Sequence, residues 1–73
     1  MTNNETVMIR MYLARSGLHQ VDLAKALGIA QQSVSRRMAG TKAWTVTELR
    51  IVATTLGVEL EDLLVSDTKQ LSA

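Results

Sequence analysis

The 73-residue chain contains no cysteine, no proline and no phenylalanine, and its aromatic complement is one tyrosine, Tyr12, and one tryptophan, Trp44. Without cysteine there is neither a disulfide framework nor a thiolate metal site, two devices that compensate for the thin core of a small domain. The single histidine, His19, allows no imidazole cluster for a metal and has only Asp22 at helical spacing as a partner for acid–base chemistry. No glycine-rich phosphate loop and no metal-ligand spacing is present. These absences exclude the common catalytic constellations, so neither an enzyme activity nor a cofactor is expected. Apolar runs last only a few residues, and no charged segment leads into a signal-type apolar stretch. A membrane span is therefore not expected, and a cytoplasmic location is.

The length predicts one domain over residues 1–73, with a folded part at about 4–65 and a short frayed tail at 66–73. A chain this short buries roughly 60% of its unfolded-state surface, which makes a partner subunit a natural source of further stability. The net charge is only +1. Its distribution says more. Residues 1–45 carry six basic residues (Arg10, Arg15, Lys25, Arg36, Arg37, Lys42) against Glu5 and Asp22, giving +4. Residues 46–73 carry Arg50 and Lys69 against five acidic residues, giving −3. Such asymmetry suits one face that attracts a polyanion and an opposite end that does not.

With proline absent, glycine supplies the punctuation, at 17, 28, 40 and 57. Gly28 and Gly57 each follow an apolar-periodic segment and precede a branched apolar residue, the pattern of a left-handed helix cap. Five short helices follow. The first runs from about Asn4, as N-cap, to Ser16, with Ile9, Tyr12 and Leu13 on its apolar face. The second spans about Gln20–Leu27 and turns Leu23, Ala24 and Leu27 inward; the third spans about Gln31–Met38 and is anchored by Val34 and Met38. The fourth opens on the capping box Thr45-Val46-Thr47-Glu48, with Trp44 and Leu49 placed as a hydrophobic staple, and buries Leu49, Val52, Ala53 and Leu56. A last helix at about Leu60–Val65 is rich in leucine, and Leu60, Leu63 and Leu64 are candidates for a homodimer interface. Tyr12, Met8, Met11 and Met38 are read as core, His19 as a weak helix cap and Trp44 as a structural staple.

The second and third helices, joined by a tight turn at Gly28, have the layout of a helix-turn-helix. With Ala24, Ile29 and Val34 facing inward, the outer face of the third helix carries Gln31, Gln32, Ser35 and Arg36. Glutamine can pair bidentately with adenine N6 and N7, and arginine with guanine O6 and N7, so these four residues are the candidate readers of base edges. Arg37, Thr41 and Lys42, at and beyond the end of that helix, are candidates for phosphate contact.

The pieces Gly17-Leu18-His19-Gln20, Leu23-Ala24, Leu27-Gly28-Ile29, Gly40 and Leu56-Gly57-Val58 followed by Leu63-Leu64 resemble the DNA-binding domain of phage repressor and Cro-type regulators, the Xre family, over roughly residues 9–64. The resemblance implies an all-α, five-helix, lambda-repressor-like fold and double-stranded DNA as partner. From the thin core and the leucine-rich last helix a homodimer on a palindromic operator is expected, and, with no effector domain in the sequence, no small-molecule ligand. In lambdoid repressors a glutamine opens the second helix and another opens the third eleven positions later, a spacing kept by Gln20 and Gln31. By that resemblance Gln20 contacts a phosphate and buttresses Gln31, which reads an adenine. The chain departs from the pattern at His19 and Ala30, where hydroxyl caps are usual, and at Leu13, where arginine is common. A Cro-like or small immunity repressor is the leading expectation. A controller protein of a restriction-modification system, and a protein-interaction module of the antitoxin or anti-repressor kind, remain open alternatives.

Overall fold

The structure, a computed structural model, describes residues 4–64. Its elements are α1 (Asn4–Ser16), α2 (Gln20–Leu27), α3 (Gln31–Met38), α4 (Val46–Leu56) and α5 (Leu60–Leu63). The boundaries are set by local chemistry. Gly28 and Gly57 end α2 and α4 at φ of 70° and 75°, a left-handed conformation that a side chain bearing Cβ adopts only at a cost. In each case the residue beyond the glycine closes the cap. Ile29 donates its N–H to the Ala24 carbonyl at 3.1 Å and Val58 donates to Ala53 at 2.9 Å, and both side chains pack against the core.

The α4 capping box forms as its sequence predicts: Glu48 N–H donates to Thr45 Oγ1 at 3.1 Å, and Thr45 N–H donates to Glu48 Oε1 at 3.0 Å. At α2 and α5 an aspartate at the third helical position does half of this work. The carboxylates of Asp22 and Asp62 accept the N–H groups of His19 at 2.8 Å and Glu59 at 3.0 Å. Ala30, in extended conformation ahead of α3, offers no side-chain cap.

The helices enclose one cluster made of Ile9, Leu13, Leu23, Ala24, Val34, Met38, Leu49, Val52, Ala53 and Leu63. Helix α2 packs on α3 and α4, while α1 lies across α3, α4 and α5 and closes the core from the other side. Tyr12, Trp44, Leu56 and Leu60 pack around this cluster, half-buried.

Four expectations change. Asn4 is already helical, so the cap position of α1 falls before it, outside the described residues. Met11 is 39% exposed rather than core: it stands two residues from both Ile9 and Leu13, about 200° around the helix from each. Helix α5 ends at Leu63, and Leu64 has left helical geometry at φ −100° and ψ 8°; Val65 and the expected tail at 66–73 lie outside the described residues. Leu63 is fully buried within its own chain and presents no surface to a partner, because α5 packs this residue between α1 and α4.

Candidate nucleic-acid interface

Helix α3 is polar, and its environment divides it lengthwise. At 100° per residue, Gln31, Ser35, Gln32 and Arg36 occupy an arc of about 140°. All four are exposed, while Val34, Arg37 and Met38 on the opposite arc are buried. Among the described residues, the side chains of Gln31, Gln32 and Arg36 make no hydrogen bond or ion pair, so their donors and acceptors stand free for an external partner. Free bidentate groups on one exposed helix face can match the donor and acceptor pattern of base edges in a major groove.

Ser35 is differently placed. Its hydroxyl donates to Gln20 Oε1 at 3.1 Å, tying α3 to the first residue of α2. Gln20 thus engages Ser35 and not Gln31, because Ser35 lies one turn further along the same face, where the amide of Gln20 reaches it. The bond leaves the Gln20 amide nitrogen and the Ser35 oxygen lone pairs open at the surface.

The phosphate candidates separate into three cases. Lys42 is exposed in the loop beyond α3 with no partner among the described residues, as phosphate contact requires. Thr41 is exposed, but its hydroxyl donates to the Arg36 carbonyl at 2.9 Å and its N–H to the same oxygen at 3.0 Å, so it closes the end of α3 and its proton is not available to a phosphate. Arg37 is 7% exposed and turned inward. Its Nε and Nη2 donate to the two carboxylate oxygens of Glu48 at 3.1 and 2.9 Å, and Nη1 donates to the Ser33 carbonyl at 2.9 Å. A guanidinium held in a two-pronged pair, with its third nitrogen on a carbonyl, is a structural cation. Its bond to Glu48, helped by the Thr45 N–H and opposed by partial burial, holds that carboxyl below the ordinary glutamate value.

The end of α3 is closed by α1 and by the following loop. Arg10 Nη2 donates to the Met38 carbonyl at 3.1 Å, and the Thr6 hydroxyl, fully buried, donates to the Arg37 carbonyl at 3.5 Å. Trp44 Nε1 in turn donates to Thr6 Oγ1 at 3.2 Å, which places the indole N–H inside the protein and not at a phosphate. Composition and periodicity leave Arg10 and Thr6 unmarked, and for Arg37 they allow a stem laid on the core side but not the burial of its head group. The one sequence signal for Arg37 is that it lies three residues after Val34 and one before Met38, on the inward side of the wheel.

Among the described residues no helix is long and apolar enough to cross a membrane, and no group of acidic and histidine side chains is placed to hold a metal ion. Comparison with curated proteins returns no match. The profile of the helix-turn-helix family matches residues 9–63, from the first core residue of α1 to the last residue of α5. Five helices packed as described, a second and third helix meeting across a glycine turn, and a profile match over most of its length show that the chain belongs to the Xre/Cro/C1-type helix-turn-helix family of DNA-binding regulators.

Proposed function

We propose that this protein is a sequence-specific transcriptional repressor of the Cro or small immunity-repressor kind from a phage or prophage, acting in the cytoplasm as a twofold homodimer on a palindromic operator. The observation that carries the reading is the division of α3: Gln31, Gln32 and Arg36 are exposed and unengaged, while the neighbouring Arg37 is turned into the protein. Gln31 and Gln32 read adenine, Arg36 reads guanine, and Ser35 with Gln20 supplies a second pair of polar atoms at the same surface. Lys42 follows the backbone. Leu64, 48% exposed, and Leu60, which lines an open groove with Ala53 and Val58, are the leucines available to a second copy. Two recognition helices in such a dimer sit about 34 Å apart, one turn of DNA.

Selection from random duplexes identifies the operator, and a palindromic consensus is expected. Salt titrations on operator and scrambled duplexes then separate the roles. Gln31→Ala and Arg36→Ala lose about 1–3 kcal/mol on the operator and much less on scrambled DNA. Lys42→Ala weakens both about equally and lowers the salt slope by about one unit. Equal losses on both duplexes for all three variants refute base reading. No loss for any of them assigns the fold to a protein-interaction role.

A further inference from the structure

The base-reading face can discriminate only if α3 holds one orientation, and the molecule anchors that helix from the side facing away from DNA. We propose that Arg37 is a positioning residue for sequence recognition: together with Glu48, Thr6 and Trp44 it fixes the roll of α3 without touching nucleic acid. The inference rests on the reading of α3 as a base-reading helix.

Two polar arms meet at Arg37. Its side chain grips Glu48 through both carboxylate oxygens, and Glu48 Oε1 also accepts the Thr45 N–H, so the guanidinium is tied to the N-terminal cap of α4. Its carbonyl accepts the Thr6 hydroxyl from α1, and that hydroxyl oxygen accepts the Trp44 indole N–H from the α3–α4 loop. One residue of α3 is thereby held by α1, by the loop and by α4, while its Nη1 remains on the Ser33 carbonyl of its own helix. The guanidinium lies on the arc opposite Gln31 and Gln32. Rotation of α3 about its axis would therefore break a two-pronged bond whose geometry tolerates little displacement. Sites held to a fraction of an ångström need such support from behind.

The test uses Glu48→Gln, Arg37→Met and Thr6→Val, each confirmed folded by circular dichroism at the binding temperature. Each is titrated on the selected operator and on a scrambled duplex. The expected result is a fall of about tenfold in the operator-to-scrambled affinity ratio for Glu48→Gln and Arg37→Met, with the salt slope on scrambled DNA unchanged. The double variant is expected to lose no more than the worse single one, since both substitutions break one pair. Glu48→Gln is decisive where Arg37→Met does not fold, because the two roles for Arg37 give it opposite outcomes. If Arg37 contacted phosphate, releasing it and removing a negative charge would tighten binding to both duplexes and leave the ratio intact, which overturns the proposal. An unchanged ratio alongside a lowered melting temperature also overturns it, leaving a bond that serves stability alone. A wild-type protein that binds both duplexes equally overturns the base-reading assignment itself, and a wild type that discriminates while all variants discriminate equally well overturns only the positioning role.

Discussion

Ala30→Ser and Thr45→Ala are paired perturbations at two helix starts, one without and one with a hydroxyl at the cap position. Ala30 precedes α3 at φ −68° and ψ 148°, and Thr45 precedes α4 at φ −86° and ψ 161°, so both backbones are already in the conformation of an N-cap. At α4 the hydroxyl accepts the Glu48 N–H at 3.1 Å. At α3 the corresponding Ser33 N–H has only the Ala30 carbonyl, at 3.0 Å, and that same carbonyl also takes the Val34 N–H at 3.4 Å. A hydroxyl at position 30 therefore offers the Ser33 N–H a second acceptor and relieves a carbonyl that serves two donors. Hydroxyl caps contribute about 0.5–2 kcal/mol over alanine. The first turn of α3 is exposed, so its donors are hydrated when uncapped, and the gain belongs in the lower half of that range, about 0.5–1 kcal/mol. For a domain of this size that raises the melting temperature by roughly 2–8 °C. Thr45→Ala loses the cap and loosens Glu48, so its loss is expected to reach about 1 kcal/mol or more. Thermal unfolding followed by far-ultraviolet circular dichroism measures both. A neutral or destabilising Ala30→Ser beside a destabilising Thr45→Ala would refute the placement of the α3 start at residue 30.

The Glu48 carboxyl has a lowered pKa in the folded chain, so the stability it contributes is complete above the unfolded glutamate value of about 4.3 and is lost as pH falls through the lower folded value. Acidification below that point should lower the melting temperature less in Glu48→Gln than in wild type; parallel curves would show that the Arg37 pair has no such effect. Leu63→Ala should cost about 2–5 kcal/mol and destabilise the chain at every protein concentration, because the residue is fully buried. For the proposed dimer built on α5, Leu64→Glu should leave the fold intact and shift sedimentation from dimer to monomer. A Leu64→Glu protein that remains dimeric would move the interface away from α5.

The sequence defines α2 and α3 to the residue, since their limits depend on short-range signals: a left-handed glycine, a branched residue after it, and an apolar period of 3.6. The exposure of Gln31, Gln32, Ser35 and Arg36 is equally legible, because they lie away from Val34 and Met38 on the helical wheel. Arg37 is not legible in this way. A cation near a helix end reads as a phosphate contact until Glu48 is placed opposite it, and that juxtaposition spans eleven residues and two helices. The same holds for Thr6, Arg10 and Trp44, whose partners lie 31, 28 and 38 residues away. Such bonds depend on how α1 crosses the bundle, which no local period encodes. The short caps at Asp22 and Asp62 are a different omission: their spacing is visible, but the residues at the cap positions, His19 and Glu59, are not the usual ones.

The two ends of α3 are held very unequally. At its C-terminal end every one of the last four carbonyls has a partner: Ser35 receives Ala39 N–H, Arg36 receives Thr41, Arg37 receives Gly40 and Thr6, and Met38 receives Arg10. At its N-terminal end the backbone N–H groups of Gln31 and Gln32 have no partner within the described residues. The last turn is closed from behind by α1 and the following loop, whereas the first turn, joined to α2 through Ile29, leaves two backbone donors at the surface. Those two N–H groups are hydrated in the free protein, and any partner that covers the turn must satisfy them or bear the cost of leaving them unmade.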